Sequence, residues 1–391
     1  MKLLKHEFSI LLIILGLFLL INLITVDRFT TVWLDEVMFT DPAINLYFGN
    51  GFTSTAWFIQ TKEEMWAGNL PLYSLVLFLW VKLFGFSLLT VRSLNYFLII
   101  GSTIMLWLAV IRLRLVNIAW IRIFLIIIFI SGYGISLCYR SGRYDCLGIM
   151  LGISALFVYS VSLSKLRYFF LMLIGILIVP SGLQVCLFAV IICFLLLIFL
   201  RKSFVKEACF MGFGIIIGLM ILLCFYYLNG VLDDFISSVN SLKSVTSGNL
   251  PKDPSLPFLY IAALLIIIDQ IIKSYIQGNS PIIFGILAGL FVPIIMLIFG
   301  RFPTYYSWMV YIPLSVVVCS SMEIMKFRLK NQISILILIS LLLTCMVGWP
   351  LQIASAVNYW NDRDYERIEN LVVSKICIKT GWSLLRLRCL L

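Results

Sequence analysis

The sequence predicts an all-α fold: a polytopic transmembrane helix bundle of about eleven spans, N-terminus in and C-terminus out. Three observations predict it. Of 391 residues, 62% are hydrophobic, and the mean hydropathy is +1.09. Charged residues make up only 12%, where soluble domains carry roughly 25%. Apolar runs long enough to cross a bilayer recur from end to end, and a helix there satisfies its own backbone.

The first run, 8–26, follows Met1-Lys2-Leu3-Leu4-Lys5. That start resembles a signal peptide, but the run is too long and lacks a small-residue cleavage site, so it reads as an uncleaved span. Next comes an acidic stretch, 27–70. It holds Asp27, Asp35, Glu36, Asp41, Glu63 and Glu64 against only Arg28 and Lys62. Leu70–Phe84 is apolar but only about fifteen residues long, short for a span. Counting it as one would put Arg112, Arg114 and Arg122 outside. It therefore reads as a re-entrant or interfacial helix in the first outer loop. Further spans fall near 93–111, 118–136, 146–163, 183–200, 208–228, 257–275, 281–299, 304–322 and 332–350, and a shorter run at 168–181 keeps the parity.

Alternate loops then carry Arg112, Arg114 and Arg122; Lys165 and Arg167; Arg201, Lys202 and Lys206; Lys273; and Lys326, Arg328 and Lys330. Every short cytoplasmic loop is basic, as the positive-inside rule asks. The remaining outer loops are 131–145, 229–256 and 300–304. Segment 229–256 contains Asp233, Asp234 and Pro251-Lys252-Asp253-Pro254 among Ser, Thr, Asn and Gly, and reads as a flexible lid. Residues 1–350 form one integral-membrane domain. Residues 351–391 form a short polar extracytoplasmic tail, too small to fold alone, and truncation of a longer part is one reading of its end.

The net charge of +11 does not point to nucleic acid, because the basic residues are spread over short loops. Ten cysteines are scattered with no CxxC, which removes a zinc or redox signature. The single histidine, His6, precedes the first span, which excludes histidine chemistry on the far side.

Functional residues should appear as charges in costly places. Asp35 and Glu36 lie in Trp33-Leu34-Asp35-Glu36, just after the first span. Arg140, Arg143 and Asp145 lie in Tyr139-Arg140-Ser141-Gly142-Arg143-Tyr144-Asp145, and Arg301 precedes Tyr305 and Tyr306; all three arginines break the positive-inside pattern. Guanidinium groups offer forked donors that match phosphate oxygens. Carboxylates with such cations on the outer face suggest a site for an anionic, lipid-linked ligand. Structural readings stand beside each. Arg140 and Arg301 also suit headgroup anchoring. Arg143 and Asp145 also suit a structural pair. Tyr305, Tyr306 and Trp308 also suit the aromatic belt. Asp35 and Glu36 also suit the first turn of an amphipathic helix, where Asp27 or Thr31 are alternative caps.

A span, then Trp-x-Asp-Glu, then a helix ending in Asn45-Leu46-Tyr47-Phe48-Gly49-Asn50-Gly51 resembles the GT-C superfamily of membrane glycosyltransferases. The nearer likeness is to the bacterial branch of protein O-mannosyltransferases, the aminoarabinose transferase of lipid A and lipopolysaccharide sugar transferases. Asn69-Leu70-Pro71-Leu72-Tyr73, then Lys82-Leu83-Phe84-Gly85-Phe86-Ser87 and Val91-Arg92-Ser93-Leu94, are similar to that branch's signature. Arg143-Tyr144-Asp145 resembles its second-loop element. The likeness covers about residues 1–320. The chain departs from it at Asn69-Leu70-Pro71, where the family has a basic residue; Lys62 is the candidate replacement.

The resemblance implies a GT-C-like fold in a cell (inner) membrane, with the active site on the extracytoplasmic face. It implies inverting transfer of a sugar from a polyprenyl-phosphate donor to a lipid, glycan or protein acceptor. Asp35 is the expected base, with Glu36 orienting a substrate or a neighbouring helix. Arg140, Arg143 and then Arg301 are the expected phosphate cations. Asp145 holds Arg143 or binds the sugar, Tyr305 and Tyr306 contact the sugar, and Lys62, Asn69 and Tyr73 complete the donor side. No cofactor is expected; a divalent cation on Asp35 and Asp145 is the less favoured option, because arginines can neutralise the phosphate. The rival reading is a transporter or lipid flippase, which calls for charges deep in spans and broken helices. A noncatalytic scaffold leaves the outer charges unexplained.

Overall fold

The computed structural model describes residues 2–57, 64–161, 164–200, 204–245, 252–272, 289, 292–295, 303–324 and 332–364. Lys62, Arg301, nearly all of the expected span 281–299 and residues 365–391 lie outside that set. Among the described residues all regular structure is helical.

Four helical segments are long and apolar enough to cross a membrane: His6–Ile24, Leu88–Arg112, Val205–Leu228 and Thr304–Glu323. Two bent pairs raise the number to six, Ala119–Ser131 with Tyr133–Tyr139 (61°) and Gln332–Met346 with Trp349–Asn358 (43°). Eleven spans were expected. Part of the difference lies in helices that are apolar but short. Asp145–Tyr159 has 15 residues, about 22 Å at 1.5 Å per residue, against a hydrocarbon core of about 30 Å.

Helix α1 (Lys2–Ile24) joins two charged ends of the bundle. Near its start, the buried Glu7 accepts hydrogen bonds from Trp107 Nε1 (2.7 Å) and Arg122 Nε (2.8 Å). Near its far end, Asn22 and Thr25 meet Arg140. Leu11, Leu15 and Phe18 face the protein, while Ile13, Leu17 and Leu20 are exposed. A helix apolar on both faces is one that lipid surrounds.

Helix α2 (Leu34–Tyr47) carries Asp35 and Glu36 in its first turn. Helix α3 (Leu72–Phe84) forms within the apolar segment 70–84 and packs against α2. Its Ser74 Oγ donates to Phe39 O (2.9 Å), Trp80 Nε1 donates to Ser93 Oγ (3.1 Å), and Phe86 beyond it packs on Phe48. Gly85, at φ 80°, turns the chain, and Ser87 caps α4 (Leu88–Arg112) by accepting from Thr90 N.

Helices α5 (Ala119–Ser131) and α6 (Tyr133–Tyr139) break at Gly132, so the expected loop 131–145 is largely helical. The residue at the break has to be small. A Cβ at Gly132 would lie 2.7 Å from the Tyr311 ring. After α7 (Asp145–Tyr159), helices α8 (Ser164–Ser181), α9 (Leu183–Leu200) and α10 (Val205–Leu228) follow. Helices α8 and α10 meet backbone to backbone. A Cβ at Gly175 would lie 2.4 Å from Met211 O, one at Gly214 2.1 Å from Met172 O, and one at Gly218 2.5 Å from Ile176 O. The Gly212–Gly218 run is thus used for close helix packing. Gly214→Val is expected to push the helices apart, costing roughly 1–3 kcal/mol as overpacking does, read as a lowered unfolding temperature in detergent. Gly212→Ala, where nothing lies within 4 Å, is the matched control.

Loop 229–256 was expected to be a flexible lid. Its first half is instead a helix, α11 (Leu232–Val245). It is docked by Phe235 stacking on Tyr226 (4.6 Å) and by Trp57 Nε1 donating to Ser238 Oγ (3.4 Å). After α12 (Leu256–Ile272), a 3-10 turn at Thr304–Tyr306 leads into α13 (Trp308–Ile324). Helices α14 (Gln332–Met346) and α15 (Trp349–Asn358) close the described chain. Part of the expected tail therefore begins as helix α15. Beyond it, Arg28 pairs with Asp364 (2.8 Å) and Arg363 covers the Phe29 ring (4.9 Å).

Candidate functional site

Four stretches far apart in sequence converge at the end of the bundle where α1 finishes. They are the N-terminus of α2, the turn between α6 and α7, the start of α9 and the 3-10 turn before α13. Arg143 is at the centre. Its Nη1 donates to Asp35 Oδ2 (2.6 Å) and its Nε to Asp145 Oδ2 (2.9 Å). Arg143 and Asp145 are buried, at 1% and 0% side-chain exposure, whereas Asp35 is 30% exposed. The triad therefore opens to solvent through Asp35. Burial, the largest single influence, would lower the pKa of the Arg143 guanidinium, but the Asp145 carboxylate together with Tyr305, Tyr144 and Tyr306 holds the group well above its ordinary value.

Aromatic rings enclose this cation. Tyr305 lies over it at 3.7 Å, with Trp33 at 5.2 Å, Phe39 at 5.3 Å and Tyr144 at 5.7 Å. Trp308 Nε1 donates to Asp145 Oδ1 (3.4 Å), so Trp308, read as a belt residue, touches the triad. Tyr306 and Tyr144 share a hydrogen bond (2.5 Å), and Tyr144 donates to Gln184 Oε1 (3.2 Å). The expected residues Asp35, Arg143, Asp145, Tyr305 and Tyr306 are thus brought together.

Glu36 has a different place. It is 2% exposed and bidentate to Arg92, Nε to Oε1 at 2.8 Å and Nη2 to Oε2 at 2.6 Å. Its Oε1 also accepts from Gly142 N (2.9 Å). Of the two expected roles, holding a neighbouring helix is the one this geometry serves. Glu36 ties α2 to α4 and to the turn that carries Arg143. A Cβ at Gly142 would lie 2.5 Å from Thr40 Cγ2, so the turn fits flush against α2. Asn95 of α4 fixes the same turn, its Nδ2 donating to Ser141 O (2.6 Å) and Arg143 O (2.9 Å).

Arg140, expected to meet a phosphate, is turned away. Its Nη1 donates to Asn22 Oδ1 (2.6 Å), its Nη2 to Thr25 O (3.0 Å) and Thr25 Oγ1 (2.9 Å), and its Nε to Phe29 O (3.0 Å). A cation on the last carbonyls of a helix stabilises that end. The residue is fully buried, and burial holds the pKa of its guanidinium below its ordinary value. Tyr73 is 1% exposed with Asn95 beside its hydroxyl, and presents no surface to a ligand. Asn69 accepts from Leu70 N through Oδ1 and from the Tyr226 hydroxyl through its carbonyl. Lys62 and Arg301 lie outside the described residues.

Sequence reasoning placed Arg92, Asn95 and Trp33 in no functional role. Arg92 had a legible signal, a charge inside an apolar run. Trp33 stood in the Trp-x-Asp-Glu motif without a role of its own, and Asn95 had no signal.

A buried carboxylate braces the Tyr305 turn from behind. Asp253, 4% exposed, accepts from Gly134 N (3.2 Å), Ser255 N (2.8 Å) and the hydroxyls of Ser255 and Ser307. Lys252 N donates to Thr304 Oγ1 (3.0 Å). Asp253→Ala orphans these donors and is expected to cost roughly 1–3 kcal/mol. Amide exchange at Gly134 and Ser255 that stays at the wild-type rate would refute the bracing.

The Arg143 guanidinium sits between Asp35 and Asp145, where a bridging cation would have to lie. Among the described residues no group of three or more His, Cys, Asp or Glu is placed to hold a metal ion. No protein-family model matches this chain, and no curated protein matches it either.

Proposed function

We propose that the protein is an integral-membrane glycosyltransferase that moves a sugar from a polyprenyl-phosphate donor to a hydroxyl acceptor, with Asp35 as the base. The observation that carries this reading is one carboxylate, partly open to solvent, held by a buried arginine inside an aromatic enclosure. A base needs a fixed position and an open lone pair, and Asp35 has both. In the step proposed, the acceptor oxygen forms a bond to the anomeric carbon and its proton passes to Asp35. The carbon–oxygen bond to phosphate breaks, and the polyprenyl phosphate leaves with the electron pair.

Arg143 is already paired with two carboxylates, so its part is to orient Asp35. The phosphate then falls to Arg301 and Lys62. About eleven spans with a cytoplasmic N-terminus, in a cell (inner) membrane, belong to the same proposal. It is supported by Arg112, Arg122 and Arg167, which gather at the bundle end opposite Asp35, against Phe157, Glu7 and Glu207 respectively.

The rival, a transporter or flippase, draws on the two bent helix pairs, which touch where Gly348 meets Ser131 O, and on Asp269, buried within α12. The deciding experiment supplies purified protein in vesicles with polyprenyl-phosphate sugars and candidate acceptors. Glycosylated product that disappears in Asp35→Asn supports the transferase. Movement of lipid or sugar across the vesicle without product supports the rival.

A further inference from the structure

The arm that begins with α15, expected as a short polar tail, is fastened back onto the end of α1 at two points. At the first, beside the Gly348 break, the Trp349 ring packs on Phe18 (5.6 Å) and its Nε1 donates to Asn22 Oδ1 (3.4 Å). At the second, beyond α15, Arg28 Nη1 pairs with Asp364 Oδ2 (2.8 Å), and the Arg28 guanidinium lies over the Trp360 ring (4.9 Å). Arg363 lies over the Phe29 ring at 4.9 Å.

Both points lead to Arg140. Asn22 Oδ1 accepts from Arg140 Nη1 as well as from Trp349. Phe29 O accepts from Arg140 Nε (3.0 Å), and the Phe29 ring meets the Arg140 guanidinium at 5.6 Å as well as that of Arg363. Thr30 Oγ1 donates back to Arg140 O (3.3 Å). Arg140 opens the turn that carries Arg143. The linker 27–33 is therefore tied to that turn by Arg140 and, separately, to the arm by Arg28 and Phe29. Its last residue, Trp33, stands 5.2 Å from the Arg143 guanidinium and is the N-cap of the helix that carries Asp35.

The two fastenings of the linker differ in strength. The Arg140 contacts are fully buried, where a hydrogen-bonded charge is costly to strand. The Arg28–Asp364 pair is 15% and 30% exposed, and partly exposed pairs contribute little and weaken in salt. Arg363 Nη1 is buried with no hydrogen-bond partner among the described residues, which works against closure. Weak, partly wet contacts laid over a firm inner knot open locally while the rest of a fold stays intact.

We infer that residues 359–364 are a releasable clasp: closed, through Trp360 and Asp364 on Arg28, it seats the linker 27–33 against the Arg143 turn, and it opens without unfolding the bundle. Trp360 and Arg28 are then positioning residues, acting through the linker on Trp33 and on the start of α2. The clasp stands on these contacts alone. Its bearing on transfer rests on the glycosyltransferase reading and deepens it, as a control on the order of that site.

The test is amide hydrogen exchange on the purified full chain in nanodiscs, read by peptide mass. The Arg28 and Phe29 amides both donate to Thr25 O (3.2 and 3.3 Å) and report on the linker. Trp360→Ala should speed exchange in the peptide spanning 28–33 roughly tenfold, of the order expected for losing a local closure, and leave peptides of α10 unchanged. Trp360→Phe, which keeps a ring under Arg28, should largely restore protection. Salt near 1 M should speed the same peptide in wild type and have a smaller effect in Asp364→Asn. The salt arm needs no variant, so it decides the matter even if Trp360→Ala misfolds. Linker exchange that ignores both Trp360→Ala and salt, or that rises equally across the bundle, would overturn the clasp. Transfer is assayed in parallel, where kcat should fall several-fold in Trp360→Ala and recover in Trp360→Phe. Faster linker exchange with undiminished kcat overturns the positioning role. A wild type that transfers nothing, while its linker responds to salt and to Trp360→Ala, overturns the transferase reading and leaves the clasp supported.

Discussion

Asp35→Asn is expected to slow sugar transfer by roughly 10²–10⁴-fold, the usual contribution of a positioned base, while leaving the protein folded. The amide oxygen of Asn can still accept from Arg143 Nη1, and the Arg143–Asp145 bond at 2.9 Å does not involve position 35. The loss should therefore fall on kcat far more than on donor affinity. Rates are compared at saturating donor and acceptor, beside direct binding of polyprenyl phosphate. A variant with full kcat would remove Asp35 as the base. One with normal kcat and lost donor binding would move Asp35 to the donor side.

The second large effect is on stability. Arg92→Met leaves Glu36, 2% exposed, as a buried carboxylate whose bidentate partner is gone. Breaking a buried pair from one side costs roughly 3–5 kcal/mol, most of it the penalty of the stranded charge. Removing both charges, in Glu36→Leu with Arg92→Met, should recover a large part of that loss. Unfolding in detergent of the wild type, both singles and the double completes the cycle. Additive losses would mean that the pair is not energetically coupled. A folded double variant would also retain less activity than its stability suggests, because Glu36 Oε1 additionally holds Gly142 N and with it the Arg143 turn.

Much of this site was legible before any coordinates. Asp35, Arg143 and Asp145 stood out because charge at a membrane boundary is costly, so its presence is informative. Their role was less legible. Arg140 and Arg143 look alike in sequence, two guanidinium groups three residues apart in one loop. Arg140 lies back on the carbonyls at the end of α1, while Arg143 points between two carboxylates. Asp35 and Glu36 are neighbours in sequence and differ in the same way, because successive residues on a helix point about 100° apart. One faces the opening and the other faces α4. Trp33 was visible only as a member of the Trp-x-Asp-Glu motif, since its contact with Tyr305 joins residues far apart along the chain.

The lid expectation for 229–256 failed for a related reason. Its Ser, Thr, Asn and Gly content suggested an open loop, but Phe235 and Ser238 recur at a helical spacing and find Tyr226 and Trp57. Its Asp253, placed by the sequence in a flexible segment, is a buried brace. Polar composition alone does not distinguish a solvated residue from one whose hydrogen bonds are all met inside.

Sequence by itself determined that this chain is helical and apolar enough for a membrane, because hydropathy and backbone satisfaction in lipid are properties of short continuous segments. It also determined which ionisable residues had to be explained. Tertiary structure alone decided which carboxylate is open, which arginine is spent on a helix end, and where α5 and α14 break. Those outcomes depend on partners more than a hundred residues away, as Arg143 is from Asp35, and on close approaches such as Gly348 to Ser131 O. Such contacts exist only once the bundle has packed.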